Sequence, residues 1–341
     1  MATPEKLPRP FFWRRMQSLM GLWLVIFLIE HLLTNSQAAL LVGDDGNGFV
    51  RAVNFIHNLP YLPAIELGLL ALPILIHAIW GIQYLMTSKA NSMSNTGKDP
   101  YLPQYPRNHA YTWQRITSWM LLLGITLHVA QMRFINYPTT AQKGTEHYYM
   151  IRVTPDSGIY TLADRLGTQI YSKKQIQEQR EELLNPNVKA AVSTDTMSHL
   201  ISSLKGIFEK PAVNELSQDE ISKRIDAQHR SQEREWLSAL EAWPLENDQA
   251  VAVSGNFGTA TLLAVRETFK SPIMIVLYTL FVMAAVFHGF NGLWTFCITW
   301  GMTLTVRSQA IMRAFTTGLM LLIGFLGMAA IWGTYWINLK S

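Results

Sequence analysis

Four histidines sit inside four separate apolar stretches of this chain: His31 in "LIEHLL", His77 in "LPILIHAIW", His128 in "GITLHVA" and His288 in "AAVFHGF". An imidazole in hydrocarbon is costly, so it faces a protein interior, a water cavity or a cofactor. Four such residues on separate helices make two pairs, and two pairs of imidazoles can supply the axial ligands of two haem irons. Cys297 is the only cysteine. No internal disulfide is possible, and a cysteine-ligated iron–sulfur cluster, which needs about four thiolates, is excluded. Cys297 reads as a small apolar packing residue.

The elements that must position these histidines are membrane spans. The chain has 341 residues, 49% hydrophobic and 15% charged, against about 25% charged in ordinary soluble domains. The apolar residues concentrate in five stretches, 17–42, 61–87, 114–136, 271–299 and 311–338, each long enough to cross a hydrocarbon core of roughly 30 Å. "PRPFFWRR" is basic, but the run after it is too long for a signal peptide and ends without a small-residue cleavage site. Lys6, Arg9, Arg14 and Arg15 precede the first span, Lys89, Lys98 and Arg107 lie between the second and third, and Arg307 and Arg313 between the fourth and fifth. The first connection on the other side carries Arg51 beside Asp44 and Asp45. Basic short loops favour the cytoplasm, so the N-terminus is expected inside and the C-terminus outside. The partner this composition implies is a lipid bilayer; nothing in it points to nucleic acid.

Residues 137–258 break the regular layout. They are polar, charged and too long for a simple connection. "HYYMIRV", "PDSG" and "IYTLAD" read as strand, turn and strand. "KKQIQEQREELL", "TDTMSHLISSLKGIF" and "SQDEISKRIDAQHRSQEREWLSALEAW" read as amphipathic helices, and "QAVAVS" as a strand. His147, His199 and His229 lie here and carry no assigned chemistry. The expected fold is an all-α membrane protein of five transmembrane helices forming a dihaem bundle, with a small α+β extracytoplasmic insertion between helices three and four. The divisions are 1–136 for the first three helices, 137–258 for the insertion and 259–341 for the last two.

Depth sorts the histidines. At a rise of about 1.5 Å per residue, His31 lies about 24 Å from the inner end of its span near Arg15, and His128 about 20 Å from Arg115. Both belong to the outer half. His77 and His288 each come 18 residues after an outer end, near Leu59 and Lys270, and so belong to the inner half. The predicted pairs are His31 with His128 and His77 with His288. Gly124, Gly81 and Gly292 lie four residues from a histidine, on its helix face, where a glycine would leave room for a flat macrocycle or permit close helix packing. Arg14, Arg15 and Arg115 at the inner ends, and Arg133 beyond His128, could pair with haem propionates or simply snorkel.

The segments "FFWRRMQSLMGLWLVIFLIEHLLTN", "LPILIHAIWGIQYL", "WQRITSWMLLLGITLHVAQMRF" and "VFHGFNGLWTFCITWGMTLTVRSQ" together resemble the cytochrome b subunit of succinate dehydrogenase, the type with one five-helix anchor, two haems b and menaquinone as electron acceptor. The resemblance covers all five spans, and the four histidines fall at its four ligand positions. The 137–258 insertion departs from it. The resemblance implies a protein of the bacterial cytoplasmic membrane that anchors two cytoplasmic partners, a flavoprotein with covalent FAD, where succinate is oxidised, and an iron–sulfur protein. A cytochrome b subunit of fumarate reductase, hydrogenase or formate dehydrogenase is the alternative; a transporter relaying protons through its histidines is another, and it predicts no haem.

Quinone reduction needs protons as well as electrons, so an acid within a span is a candidate. Glu66 lies in the outer part of span two, and Glu30 adjoins His31. Either could carry protons to a quinone or serve as a paired or capping carboxylate. His57, Asn58 and Gln131 could also face an outer quinone pocket. A second candidate site lies inside, near Ser18 and Arg15.

Overall fold

The computed structural model describes residues 8–41, 43–87, 92, 101–184 and 218–340. Five long helices carry the apolar spans: α1 Arg9–Ser36, α3 Leu62–Thr87, α4 Pro106–Ile135, α9 Pro272–Thr299 and α10 Val306–Leu339. Proline opens α4 and α9 at the first position, where its missing N–H is no loss. Thr305 and Ser308 cap α10 reciprocally. The helix α1 begins before the expected residue 17 and stops at Ser36 rather than 42. The polar run after His31 ends it: Asn35 Nδ2 and Ser36 Oγ donate to the carbonyls of His31 and Leu33, competing with the next turn of helix. Large apolar side chains such as Leu123, Ile273 and Leu321 stand exposed on the outside of these helices, the surface a lipid would cover, and the chain is a multi-pass membrane protein.

The packing defines a ring. The helix α1 packs against α3 and α9, and α9 packs against α1 and α4, while α3 and α4 barely touch. The order around the ring is therefore α1, α3, α4, α9. The helix α10 lies outside it, against α1 and α9.

Two short helices unmarked in the sequence reading lie beside the bundle: α2 Asn47–His57 and α8 Phe257–Thr268. They pack on each other. Gly258 N–H donates to Asn54 Oδ1 at 2.6 Å, and Asn54 Nδ2 donates to Asn256 Oδ1 at 3.1 Å. A Cβ on Gly258 would stand 2.4 Å from the Val50 carbonyl oxygen, so only glycine permits this approach.

The chain separates into two compact units. One holds the bundle with α2 and α8; the other comprises residues 138–155 and 163–255. In the second unit four antiparallel strands, β1 Thr139–Lys143, β2 Glu146–Val153, β3 Gln169–Ser172 and β4 Ala250–Ser254, are ordered β1-β2-β4-β3. Helices α6 Lys173–Leu184 and α7 Gln218–Glu241 bring Ile176, Trp236, Leu237 and Leu240 against Met150, Val251 and Val253 of the sheet. The small antiparallel sheet and the strand at "QAVAVS" agree with the sequence reading, but the hairpin does not. The turn falls at Gly144, with φ of +65°, and "IYTLAD" is helical, in α5 Ser157–Arg165. Asp156 Oδ1 caps that helix by accepting from Ile159 N–H at 2.7 Å. Ile159, Leu162 and Ala163 are all buried, at the i, i+3, i+4 spacing of one helical face. The helix expected at "TDTMSHLISSLKGIF", with His199, lies outside the described residues, as do Lys6, Lys89 and Lys98.

Leu240 is fully buried at the centre of the inserted core. Leu240→Ala is expected to cost about 2–5 kcal/mol, read in pulse proteolysis of the full chain as cleavage within 138–255 at lower denaturant, with the membrane helices still protected.

Candidate functional site

The ring of helices places its histidines across its diagonals. His31 of α1 faces His128 of α4, with ring centroids 5.9 Å apart, and His77 of α3 faces His288 of α9 at 6.2 Å. These are the pairings that depth predicts.

In the second of these pairs, His77 Nδ1 donates to the main-chain carbonyl of Gln17 at 3.0 Å. His288 Nδ1 donates to that of Gln114 at 3.2 Å, and the Thr117 and Ser118 hydroxyls lie 3.4 Å away. A carbonyl only accepts, so in both rings Nδ1 holds the proton and Nε2 is left as a bare lone pair. Four positions beyond these carbonyls stand small residues, Gly21 and Ser118, and Ser118 Oγ itself also donates to the Gln114 carbonyl at 2.7 Å. A Cβ on Gly21 would stand 2.9 Å from His77 Cε1. The Gln114 side chain locks the contact by donating to the His288 carbonyl and accepting from Asn291 Nδ2.

The other pair lies one level along the bundle. Gln17 to His31 on α1 and Gln114 to His128 on α4 are both fourteen residues, about 21 Å of helix, so the two pairs sit at the same separation on both helices. His31 stacks on Phe27, centroids 5.3 Å apart. His128 Nδ1 lies 3.0 Å from the Tyr278 hydroxyl, which donates to Gln131 Oε1 at 3.1 Å.

Both pairs fit axial ligation. A metal–imidazole bond is about 2 Å long and a ring centroid lies about 1 Å behind its nitrogen, so an iron held between two imidazoles sets the centroids about 6 Å apart. Among the described residues no group of three or more His, Cys, Asp or Glu is placed to hold a metal ion. A porphyrin brings its own four nitrogens, so it needs only a histidine pair. Of the two roles open to the glycines, Gly124 packs against α9: a Cβ there would meet the Phe281 ring at 2.4 Å, while Gly81 and Gly292 look onto Gln17 and Gln114. Gly21, which the sequence reading missed, is the one that makes room for a histidine; its signal was its spacing of four from Gln17.

Beyond His128 lies the π-helical segment Ala130–Ile135, and on α3 another, Leu67–Ala71, begins just after Glu66. Arg133 donates to Glu66 at 2.8 Å and stands 4.5 Å over the Tyr137 ring. Arg133 and Glu66 thus form an ion pair, and Glu66 is a paired carboxylate. His57 stacks on Phe257 at 3.8 Å. Burial and the Arg133 charge lower its pKa below the ordinary 6.5, while Glu66 pulls it up. Glu66, Arg133 and His57 therefore form one electrostatic group, with Gln131 on the same segment as Arg133. Glu30 is not part of it. Adjacent helical residues point about 100° apart, and Glu30 is exposed, accepting from Thr34 Oγ1. Asn58 is exposed at the end of α2.

At the opposite end of the bundle, Arg15 donates to the Thr299 carbonyl and stacks on Phe11 at 3.8 Å. It lines a cavity of about 480 Å³ with Arg9, Met16, Leu19 and Trp300. Ser18 is half-buried nearby on α1 but does not line it. Arg14 faces Tyr84 and Arg115 faces Tyr111.

Along 324 residues the chain is 24% identical to the succinate dehydrogenase cytochrome b558 subunit of Bacillus subtilis (strain 168), an alignment that covers 95% of this chain and 96% of that protein. This bears out the resemblance read in the sequence. No family model matches the chain, and no solved structure does.

The charges around His57 make opposite predictions. Arg133→Gln is expected to raise the His57 pKa towards its ordinary value, and Glu66→Gln to lower it further. The pH dependence of diethyl pyrocarbonate modification at His57, followed by mass spectrometry, checks both signs.

Proposed function

We propose that this chain is the dihaem cytochrome b anchor of a succinate dehydrogenase, receiving electrons from an iron–sulfur subunit and delivering them to menaquinone. What carries this reading is the pair of histidine pairs, spaced for axial ligation on the two diagonals of one helical ring, in a chain that is similar along its length to a cytochrome b558 subunit. His31 with His128 would hold one haem b, and His77 with His288 the other. When bound, the haems supply one-electron transfer between the two faces of the membrane.

The chain's own residues do the rest. The carbonyls of Gln17 and Gln114 and the Tyr278 hydroxyl hold the imidazole rings with Nε2 bare, which orients the ligands and raises their basicity. Arg115, adjoining Gln114 at the level of the inner pair, and Arg15 and Ser18 nearer the membrane surface are the groups for propionates or a quinone at that end. Glu66 is the proton carrier of the outer quinone site. The Arg133 bond holds it within reach of a quinone beside Gln131, and His57 lies on the path from the aqueous side. Glu30, turned away from this group, drops out. The Arg15 end, with its basic residues, would then be cytoplasmic, against the iron–sulfur subunit and the flavoprotein with covalent FAD, and the inserted unit and the C-terminus would be outside, in a bacterial cytoplasmic membrane.

A reduced-minus-oxidised spectrum with a pyridine haemochrome count tests the reading: two haems b per chain are expected, and none would overturn it. His31→Ala and His128→Ala are each expected to remove one and the same haem, and His77→Ala and His288→Ala the other. Glu66→Gln is expected to slow quinone reduction by roughly 100-fold at unchanged haem content; full activity in that variant would remove Glu66 from the site.

A further inference from the structure

We infer that Tyr278 is a positioning residue that couples the outer haem to the outer quinone site, by joining His128 to Gln131 through its hydroxyl. The inference rests on the dihaem reading above.

Tyr278 lies on α9, ten residues before His288, and is buried. Its ring is held edge-on by Phe269, His128 and Phe281, with centroids 5.3, 5.7 and 6.2 Å away. That cage fixes the hydroxyl between His128 Nδ1 and Gln131 Oε1. A phenol has one proton. It is donated to Gln131, so towards His128 the oxygen can only accept. His128 Nδ1 must then carry the proton, and Nε2 is left bare to face His31.

This ligand differs in kind from those of the other pair. His77 and His288 donate to main-chain carbonyls of α1 and α4, acceptors that belong to the helix and do not move independently of it. His128 donates to a side chain, and that side chain is polarised by a second one. Gln131 sits in the π-helical segment that also carries Arg133 and its bond to Glu66. A change at Gln131, such as a quinone oxygen taking its amide, alters how strongly the phenol oxygen accepts from His128. Acceptor strength at Nδ1 sets the basicity of Nε2, and so the potential of the iron it binds.

The test uses the full chain with its haems. Tyr278→Phe keeps the ring in its cage and removes only the hydroxyl. Two haems per chain are expected to remain, and a spectroelectrochemical titration should show one midpoint potential moved upward, that of the haem absent from His31→Ala. The other should be unchanged. Gln131→Leu, which takes away the acceptor of the phenol proton, should move the same haem and not its partner. Two haems with both potentials at wild-type values in Tyr278→Phe would overturn the inference, as would equal shifts of both. If Tyr278→Phe loses the outer haem, Gln131→Leu decides: an unshifted outer potential overturns the proposal. Absence of haem from the unaltered protein would instead defeat the dihaem reading.

Discussion

An imidazole inside a bilayer has a proton on one nitrogen and no water to give it to, and every carbonyl of a neighbouring helix is already engaged in its own ladder. A second donor must share a carbonyl that the helix already uses. Gly21 lets the His77 ring come close enough to share the Gln17 carbonyl, and His288 shares that of Gln114 with the Ser118 hydroxyl. These contacts tie α3 to α1 and α9 to α4, two of the packed edges of the ring α1-α3-α4-α9, and leave Nε2 of both rings without the proton. The edge between α3 and α4 scarcely meets, and the histidine rings face one another across the diagonals.

The two ends of the bundle solve this problem differently. At the inner pair the partners are main-chain atoms of regular helix. At the outer pair the helices are interrupted by π-helical segments after Glu66 and after Val129, and Asn136 N–H reaches back to the Gln131 carbonyl at 2.7 Å. Such segments loosen the ladder and re-aim side chains, and they recur at functional sites. Here they turn Gln131 and Arg133 towards Tyr278 and Glu66. The His77–His288 end is held by main-chain acceptors, and the His31–His128 end by side chains bonded to other side chains.

The second unit begins after Tyr137 and ends before Asn256, with residues 156–162 grouped with the bundle's unit, and the rings of Tyr137 and Phe257 stand 5.3 Å apart. An insertion whose ends are this close leaves the helices on either side in register, because the chain re-enters where it left. Both attachment residues also touch the outer charged group, Tyr137 beneath Arg133 and Phe257 against His57. The short helices α2 and α8, clamped through Asn54, Asn256 and Gly258, hold this arrangement in place.

Much of this was legible in the residues alone. Hydropathy marked the five spans because a hydrocarbon core demands long apolar runs, and the 1.5 Å helical rise alone sorted His31 with His128 and His77 with His288. The helices α6 and α7 and the "QAVAVS" strand followed from periodicity. Tertiary structure decided what depends on direction rather than depth. Glu30 and His31 are neighbours in sequence but diverge around the helix, so one is exposed while the other faces His128. Glu66 and Arg133, far apart in the chain, share a bond. Gly124 packs against Phe281, whereas Gly21 is the glycine that makes room for a histidine. "IYTLAD" became helix because Asp156 caps it and its apolar face is buried. A sequence records how far each residue lies along its helix. Which way it points, and which carbonyl, carboxylate or hydroxyl it meets, is set only when the helices pack and each buried polar group must find its partner.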